Sequence, residues 1–233
     1  MSLEQDRRKQ LAADLAVQKI EPGMTVGLGT GSTADLVTRR LAELVAGGFL
    51  VTGVPTSRRT RELADSLGIP LLDLQDVDQI DLTIDGADEV QSGSLHALKG
   101  AGGALLREKL VALDSRRVLL VVDDTKMVDV IGQGFAVPVE VVQYGWRVPA
   151  RSLVRIGAEI TIRVDDASRE PTLTDNDNYV IDADFGRIPE PDALSRQIKE
   201  ITGVIEHGLF VDIADEVIVG DENGARSLVR DAS

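Results

Sequence analysis

Short apolar runs alternate with stretches of helical periodicity through the first half of the chain, and few folds accept that rhythm. The runs fall at residues 24–29, 49–54, 79–84 and 118–122, with Leu71 and Leu72 as a briefer candidate. Apolar residues at helical spacing occupy 3–20, 34–45, 57–67 and 102–113, and Pro22-Gly23 stops the first of these. Strands that alternate with helices need crossover connections, so the reading is an α/β chain with a mostly parallel sheet and helices on both faces. After Lys126 the rhythm changes. Strands at 137–142, 159–164 and 179–184, with helices at 149–156 and 191–201, make a compact α+β pattern that reads as an insert. Segments 203–210 and 216–219 then read as strands returning to the first sheet. The expected division is a discontinuous larger domain, 1–130 and 203–233, and a small α+β domain, 131–202.

Composition narrows the function classes. The 233 residues contain no cysteine, which removes disulfides, a thiolate nucleophile and cysteine-bound metal centres. A formal net charge of -14 and only six lysines leave no basic face for nucleic acid. That acidity suits either an ordinary cytoplasmic enzyme or one adapted to a salty cytoplasm, and the two readings stay open. No apolar run reaches membrane-spanning length and no signal-peptide core is visible, so the expectation is a cytoplasmic protein with no membrane partner.

Three loops follow expected strands, and in an open parallel sheet such loops converge on one crevice. Residues 27–33, G-L-G-T-G-S-T, offer amides and three hydroxyls at a helix start, which suits a phosphate; a tight turn is the plainer alternative. Serine stands at 32 where a dinucleotide fingerprint wants glycine, and the lysine of a phosphate-binding nucleotide loop is missing. Residues 85–89, D-G-A-D-E, place Asp85 and Asp88 to bind sugar hydroxyls or pass a proton, with a turn cap or a divalent-metal site as alternatives. Residues 99–109, K-G-A-G-G-A-L-L-R-E-K, bring a cation, bare amides and a carboxylate within about three helical turns of one another, a site for an anionic substrate and a moving proton. An exposed charged helix face is the competing reading. Against it, Glu108 shares a helical face with Ala104 and Leu105, and shelter there raises a carboxyl toward neutrality. His96 and His207 lack ligand spacing and read as structural or surface residues, while lysines other than Lys99 and Lys126 read as helix-surface charges.

These loops, in order with D-D-T-K at 123–126, P-V-E-V at 138–141 and T-D-N at 174–176, resemble the type A ribose 5-phosphate isomerases over nearly the whole chain. The resemblance implies a Rossmann-like domain with a smaller α+β domain, and a homodimer or homotetramer acting in the non-oxidative pentose phosphate pathway. It also implies interconversion of D-ribose 5-phosphate and D-ribulose 5-phosphate without metal or organic cofactor. Carried onto this sequence, the proton-transferring carboxylate is Glu108. The substrate-binding positions are Thr30, Gly31, Ser32 and Thr33; Asp85, Gly86, Ala87 and Asp88; Lys99, Gly100, Ala101 and Gly102; and Lys126. Glu108 would shuttle the proton through an enediolate, Asp85 assist ring opening and Lys99 stabilise the oxyanion. Asp88 would hold hydroxyls, with Ser32, Thr33 and Lys126 at the phosphate. Two positions depart from the family: Ala101 replaces a common glycine and tolerates it only with a negative φ, and Asp177 stands where glycine often follows T-D-N. A non-catalytic sugar-phosphate sensor and an acyl or coenzyme A transferase with a nucleophilic glutamate are the alternatives.

Overall fold

The computed structural model describes residues 3–165 and 167–230. Its elements in the first half are α1 (Leu3–Val17), β1 (Thr25–Leu28), α2 (Ser32–Ala46), β2 (Thr52–Pro55), α3 (Arg58–Ser66), β3 (Leu82–Asp85), β4 (Glu89–Gln91), β5 (Ala97–Leu98), α4 (Leu105–Leu113) and β6 (Val118–Asp123). There follow β7 (Met127–Val128), β8 (Val137–Val141), α5 (Arg147–Arg155), β9 (Glu159–Ile162), β10 (Tyr179–Asp184), α6 (Pro191–Lys199), β11 (Val204–His207), β12 (Leu209–Phe210), β13 (Glu216–Asp221) and β14 (Gly224–Val229).

Six strands in the order β14-β13-β6-β3-β1-β2 form the central sheet, parallel except for the β13–β14 hairpin. Side chains alternate across it as the pleat requires. Leu119 and Val121 of β6 join Val26, Leu28 and Ile84 against Ala12, Ala16, Val37 and Leu41 of α1 and α2. The intervening Val118, Leu120 and Val122 turn to the other face, where they meet Ala112 of α4 and Phe210. Cover on both faces explains why β6 reads as an unbroken apolar run.

A second, antiparallel sheet, β11-β8-β10-β9, packs Val137, Val139, Val141, Ile181 and Ala183 against Leu153 of α5 and Ile198 of α6. A third, β12-β5-β4-β7, has strands of only two or three residues. Strands this short carry too few residues for a period, and β4, β5 and β7 were not legible in the sequence.

Several expectations need correction. Segment 203–210 does not return to the first sheet: β11 pairs with β8 in the second sheet and β12 pairs with β5 in the third. The chain changes sheets at Gly208, where a Cβ would stand 2.1 Å from the Lys99 carbonyl oxygen, so only glycine passes that close. The returning strand is β13, and its hairpin partner β14 was not foreseen. Leu71 makes an isolated bridge to Gly53, not a strand. The helix expected from 102 starts at Leu105, because Gly100 and Gly103 take φ of 104° and 78°, outside helical space. Asp177 adopts φ 58°, the left-handed conformation that aspartate tolerates, while Ala101 stays out of that region.

Among the described residues no helix is long and apolar enough to cross a membrane, and no group of three or more His, Cys, Asp or Glu is placed to hold a metal ion.

Candidate active site

The parallel strands β1 and β3 end on the same side of the sheet, which brings the turn into α2, the loop after β3, the loop after β5 and the first turn of α4 together. Between them lies a cavity of about 410 Å³ lined by residues 30–33, 86–88 and 99–102, with Glu108, Lys126, Gln5, Lys9 and Phe135. Of the residues expected at the site, Asp85 alone is absent from that lining. It lies at the end of β3, one layer below.

Three ionisable side chains form the centre, and Asp85, Lys99 and Glu108 are only 2, 2 and 3% exposed. Asp85 Oδ1 accepts from the Thr30 amide at 3.0 Å and the Gly86 amide at 2.7 Å. Its Oδ2 is 3.0 Å from Lys99 Nζ, which donates to the Gly86 carbonyl at 2.5 Å and lies 3.4 Å from Glu108 Oε1. The Phe210 ring closes one side of the ammonium, 5.4 Å from its centroid. Glu108 Oε2 is buried with no hydrogen-bond partner among the described residues.

Two acids and one base in a dry place cannot all be charged cheaply. Burial raises both carboxyls, and Lys99 opposes the rise. Asp85 holds the nearer ammonium contact and two amide donors, which support its anion; Glu108 has neither. Burial therefore pushes Glu108 up to about 8, helped by the negative charges of Asp85 and Asp88. Burial works against the Lys99 cation, yet the attraction of Asp85 and Glu108 outweighs it and holds that group above its ordinary value. Sheltering Glu108 on the Ala104–Leu105 face thus does what the helical spacing suggested.

Asp88 stands at the cavity wall and its Oδ2 accepts from the Ala101 amide at 2.9 Å. The T-D-N turn docks beside Glu108: Arg107 Nε donates to Asn176 Oδ1 and its Nη2 to the Asp175 carbonyl, both at 3.0 Å. Thr30 is not free to offer its hydroxyl, which is tied to Thr56, Ser57 and Thr60 at 2.8, 2.7 and 3.0 Å beneath the turn. Ser32 Oγ accepts from Lys9 Nζ at 2.9 Å, and Lys126 Nζ sits 4.6 Å from the centre of the Phe135 ring.

Lysines assigned to helix surfaces prove otherwise at two positions. Lys9 is 4% exposed and lines the cavity. Its register gave a signal, since Lys9 shares the helical stripe of the buried Ala12, Ala13 and Ala16. Lys109 is also buried, donating to Glu206 Oε1 at 2.8 Å and the His207 carbonyl at 2.6 Å; burial brings it down to about 8 against the pull of Glu206. His207 is buried beside this pair and drawn down to about 3, chiefly by desolvation, so it is a neutral structural residue. Gln5 and Phe135, also at the cavity, carried no sequence signal.

A parallel α/β sheet whose strand ends enclose a buried carboxylate, ammonium and carboxylate beside an amide-rich loop is the framework of an enzyme that moves protons. The family model for ribose 5-phosphate isomerase A (phosphoriboisomerase A) matches residues 52–224. Ribose-5-phosphate isomerase A of Thermomicrobium roseum is 51% identical over 225 residues, 97% of this chain and 94% of the relative. That of Gloeobacter violaceus is 48% identical over 98% of each chain. Among solved structures, ribose 5-phosphate isomerase A of Methanocaldococcus jannaschii superposes with a TM-score of 0.92 at 38% identity, covering 96% of this chain and 99% of that one. A D-ribose-5-phosphate isomerase in complex with phospho-erythronic acid reaches 0.94 at 39%, covering 99% of this chain and all of its own. This chain belongs to the ribose 5-phosphate isomerase A family.

Proposed function

We propose that the protein interconverts D-ribose 5-phosphate and D-ribulose 5-phosphate, with Glu108 moving the proton. The observation that carries this reading is the buried Glu108 carboxyl at the cavity wall, one oxygen unpartnered and the other 3.4 Å from Lys99. Asp85 assists ring opening through Lys99, whose ammonium it holds. In the open aldose, the Glu108 carboxylate takes the proton from C2, leaving an enediolate. The same carboxyl returns a proton to C1 while the hydroxyl proton passes from O2 to O1, so atoms and charge balance. Charge that grows on the oxygen meets the Lys99 ammonium, helped by the Gly102 amide at the cavity wall, whereas the Lys99 and Ala101 amides are committed to Gly208 and Asp88. Asp88 keeps the sugar hydroxyls in register, and Ser32, Thr33 and Lys126 take the phosphate end. One solved relative is a complex with phospho-erythronic acid, a phosphorylated sugar acid, and that supports a sugar phosphate as the substrate. The sensor and transferase alternatives lose their basis with the family assignment.

The cytoplasmic homodimer or homotetramer, the pathway and the absence of metal or organic cofactor belong to the same proposal and rest on family membership, as does the division into two domains, with the second boundary moved past His207 by the pairing of β11 with β8. Incubating metal-stripped protein with ribose 5-phosphate and following ketose formation tests reaction and metal independence at once. Ketose at wild-type rates after stripping is expected, and no ketose under any condition refutes the proposal.

The buried base predicts a pH profile. Glu108 accepts a proton only when ionised, and its carboxyl is pushed up to about 8. The kcat/KM for ribose 5-phosphate should therefore fall about tenfold per pH unit on the acid side of that limb. A profile flat between about pH 6 and pH 8 would show that the base titrates elsewhere.

A further inference from the structure

Arg163 reaches from the second sheet to the loop that carries Lys99, and the mechanism so far gives it no part. Its Nε donates to Asp182 Oδ2 at 3.0 Å and its Nη2 pairs with Oδ1 of the same carboxylate. That two-pronged grip leaves Nη1 to donate to two successive carbonyls, Gly100 at 2.9 Å and Ala101 at 3.0 Å. Asp182 is a firm anchor, because it sits mid-strand in β10 between Pro138 of β8 and Thr161 of β9.

The loop needs such an anchor. Ala101 and Gly102 are exposed, Gly100 has φ 104°, and glycines on both sides of Ala101 leave the peptide planes free to rotate. Asp88 holds the Ala101 amide from the cavity side at 2.9 Å. Arg163 holds the carbonyls from the opposite side, so the Gly100–Ala101 unit is gripped at both ends. A cation on a peptide carbonyl also polarises the unit and strengthens its N–H as a donor. The Ala101 amide of the first unit is taken by Asp88; the second unit, held at the Ala101 carbonyl, bears the Gly102 amide, which stands at the cavity wall.

We propose that Arg163, anchored on Asp182, is a positioning residue for the isomerisation: it fixes the 100–102 peptide planes so that Lys99 and the Gly102 amide face the developing enediolate. This rests on the isomerase reading. Arg163→Ala, Arg163→Lys and Asp182→Asn would be measured in the full chain for kcat, KM and melting temperature with ribose 5-phosphate. Misplacing the loop should lower kcat by about 10- to 100-fold in Arg163→Ala while KM moves by less than about threefold. Lysine cannot hold a carboxylate and two carbonyls at once, so Arg163→Lys should keep most of the loss. Asp182→Asn, which loosens the anchor, should lose kcat in the same direction to a smaller extent. Millimolar guanidinium should restore part of the kcat of Arg163→Ala, which a general loss of folding would not allow.

Should Arg163→Ala fail to fold, Arg163→Lys and Asp182→Asn carry the same test. A kcat within about twofold of wild type in both of those, whatever the melting temperature, overturns the proposal. An active wild type with unaffected variants defeats the clamp alone, whereas an inactive wild type defeats the isomerase reading with it.

Discussion

Glu108→Gln is expected to fold, bind ribose 5-phosphate and lose about two to four powers of ten in kcat. The substitution keeps the shape of the side chain and removes only its capacity to take a proton. What survives is the preorganised charge of Lys99 and the Gly102 amide, which stabilises an enediolate that nothing now forms. Stability should not suffer. Two buried carboxyls share one ammonium in the wild type, and Lys99 lies closer to Asp85 at 3.0 Å than to Glu108 at 3.4 Å. Replacing the less well supported acid with a neutral amide relieves the excess of negative charge, so the melting temperature should match or exceed that of wild type. The acid limb of the pH profile should vanish with the activity. A variant that keeps more than about a tenth of wild-type turnover contradicts the role of general base.

Lys99→Met is expected to damage both stability and rate. Methionine fills comparable space against Phe210 but leaves Asp85 and Glu108 in the interior with no cation. Stranding buried partners in this way costs about 3–5 kcal/mol. The loss should depend on pH with a definite sign. Burial already raises both carboxyls and Lys99 is the main opposing influence, so its removal raises them further above their unfolded values. Groups raised in the folded state stabilise it below the unfolded pKa and lose that contribution as pH climbs through the folded one. The variant should thus be nearest to wild type at about pH 4 to 5 and fall progressively behind toward about pH 8. Turnover should drop by about two to three powers of ten through loss of the oxyanion donor. Melting curves at the two ends of that range decide the first point. A variant as stable as wild type at the alkaline end would mean that the two carboxyls do not depend on this ammonium.

Much of the architecture was legible because it follows from local periodicity. The β6 run and the amphipathic α2 each declare their conformation within a few residues, and strand–helix alternation then implies parallel order. The loop sequences for Lys99, Asp88 and Glu108 could be placed on one rim for the same reason. Legibility failed where an element was short or its partner remote. β4, β5 and β7 are too brief to show a period, and the segment 203–210 read as a strand of the first sheet, whereas Gly208, threading past the Lys99 carbonyl, divides it between β11 of the second sheet and β12 of the third. Lys9 and Lys109 looked like surface charges since a lysine's environment is set by what packs over it, here Ser32 for one and Glu206 for the other.

By itself, the order of residues determined the strand–helix alternation of the central sheet, the side of that sheet on which the loops gather and the chemical groups those loops carry, all consequences of backbone geometry and spacing. Only the tertiary structure decided that Asp85 lies beneath the floor while Asp88 stands at the wall, that Thr30 spends its hydroxyl on support, and that burial raises the Glu108 carboxyl. Those outcomes depend on desolvation and on which carboxylate approaches a single ammonium more closely. Both are set by distances between segments far apart in the chain.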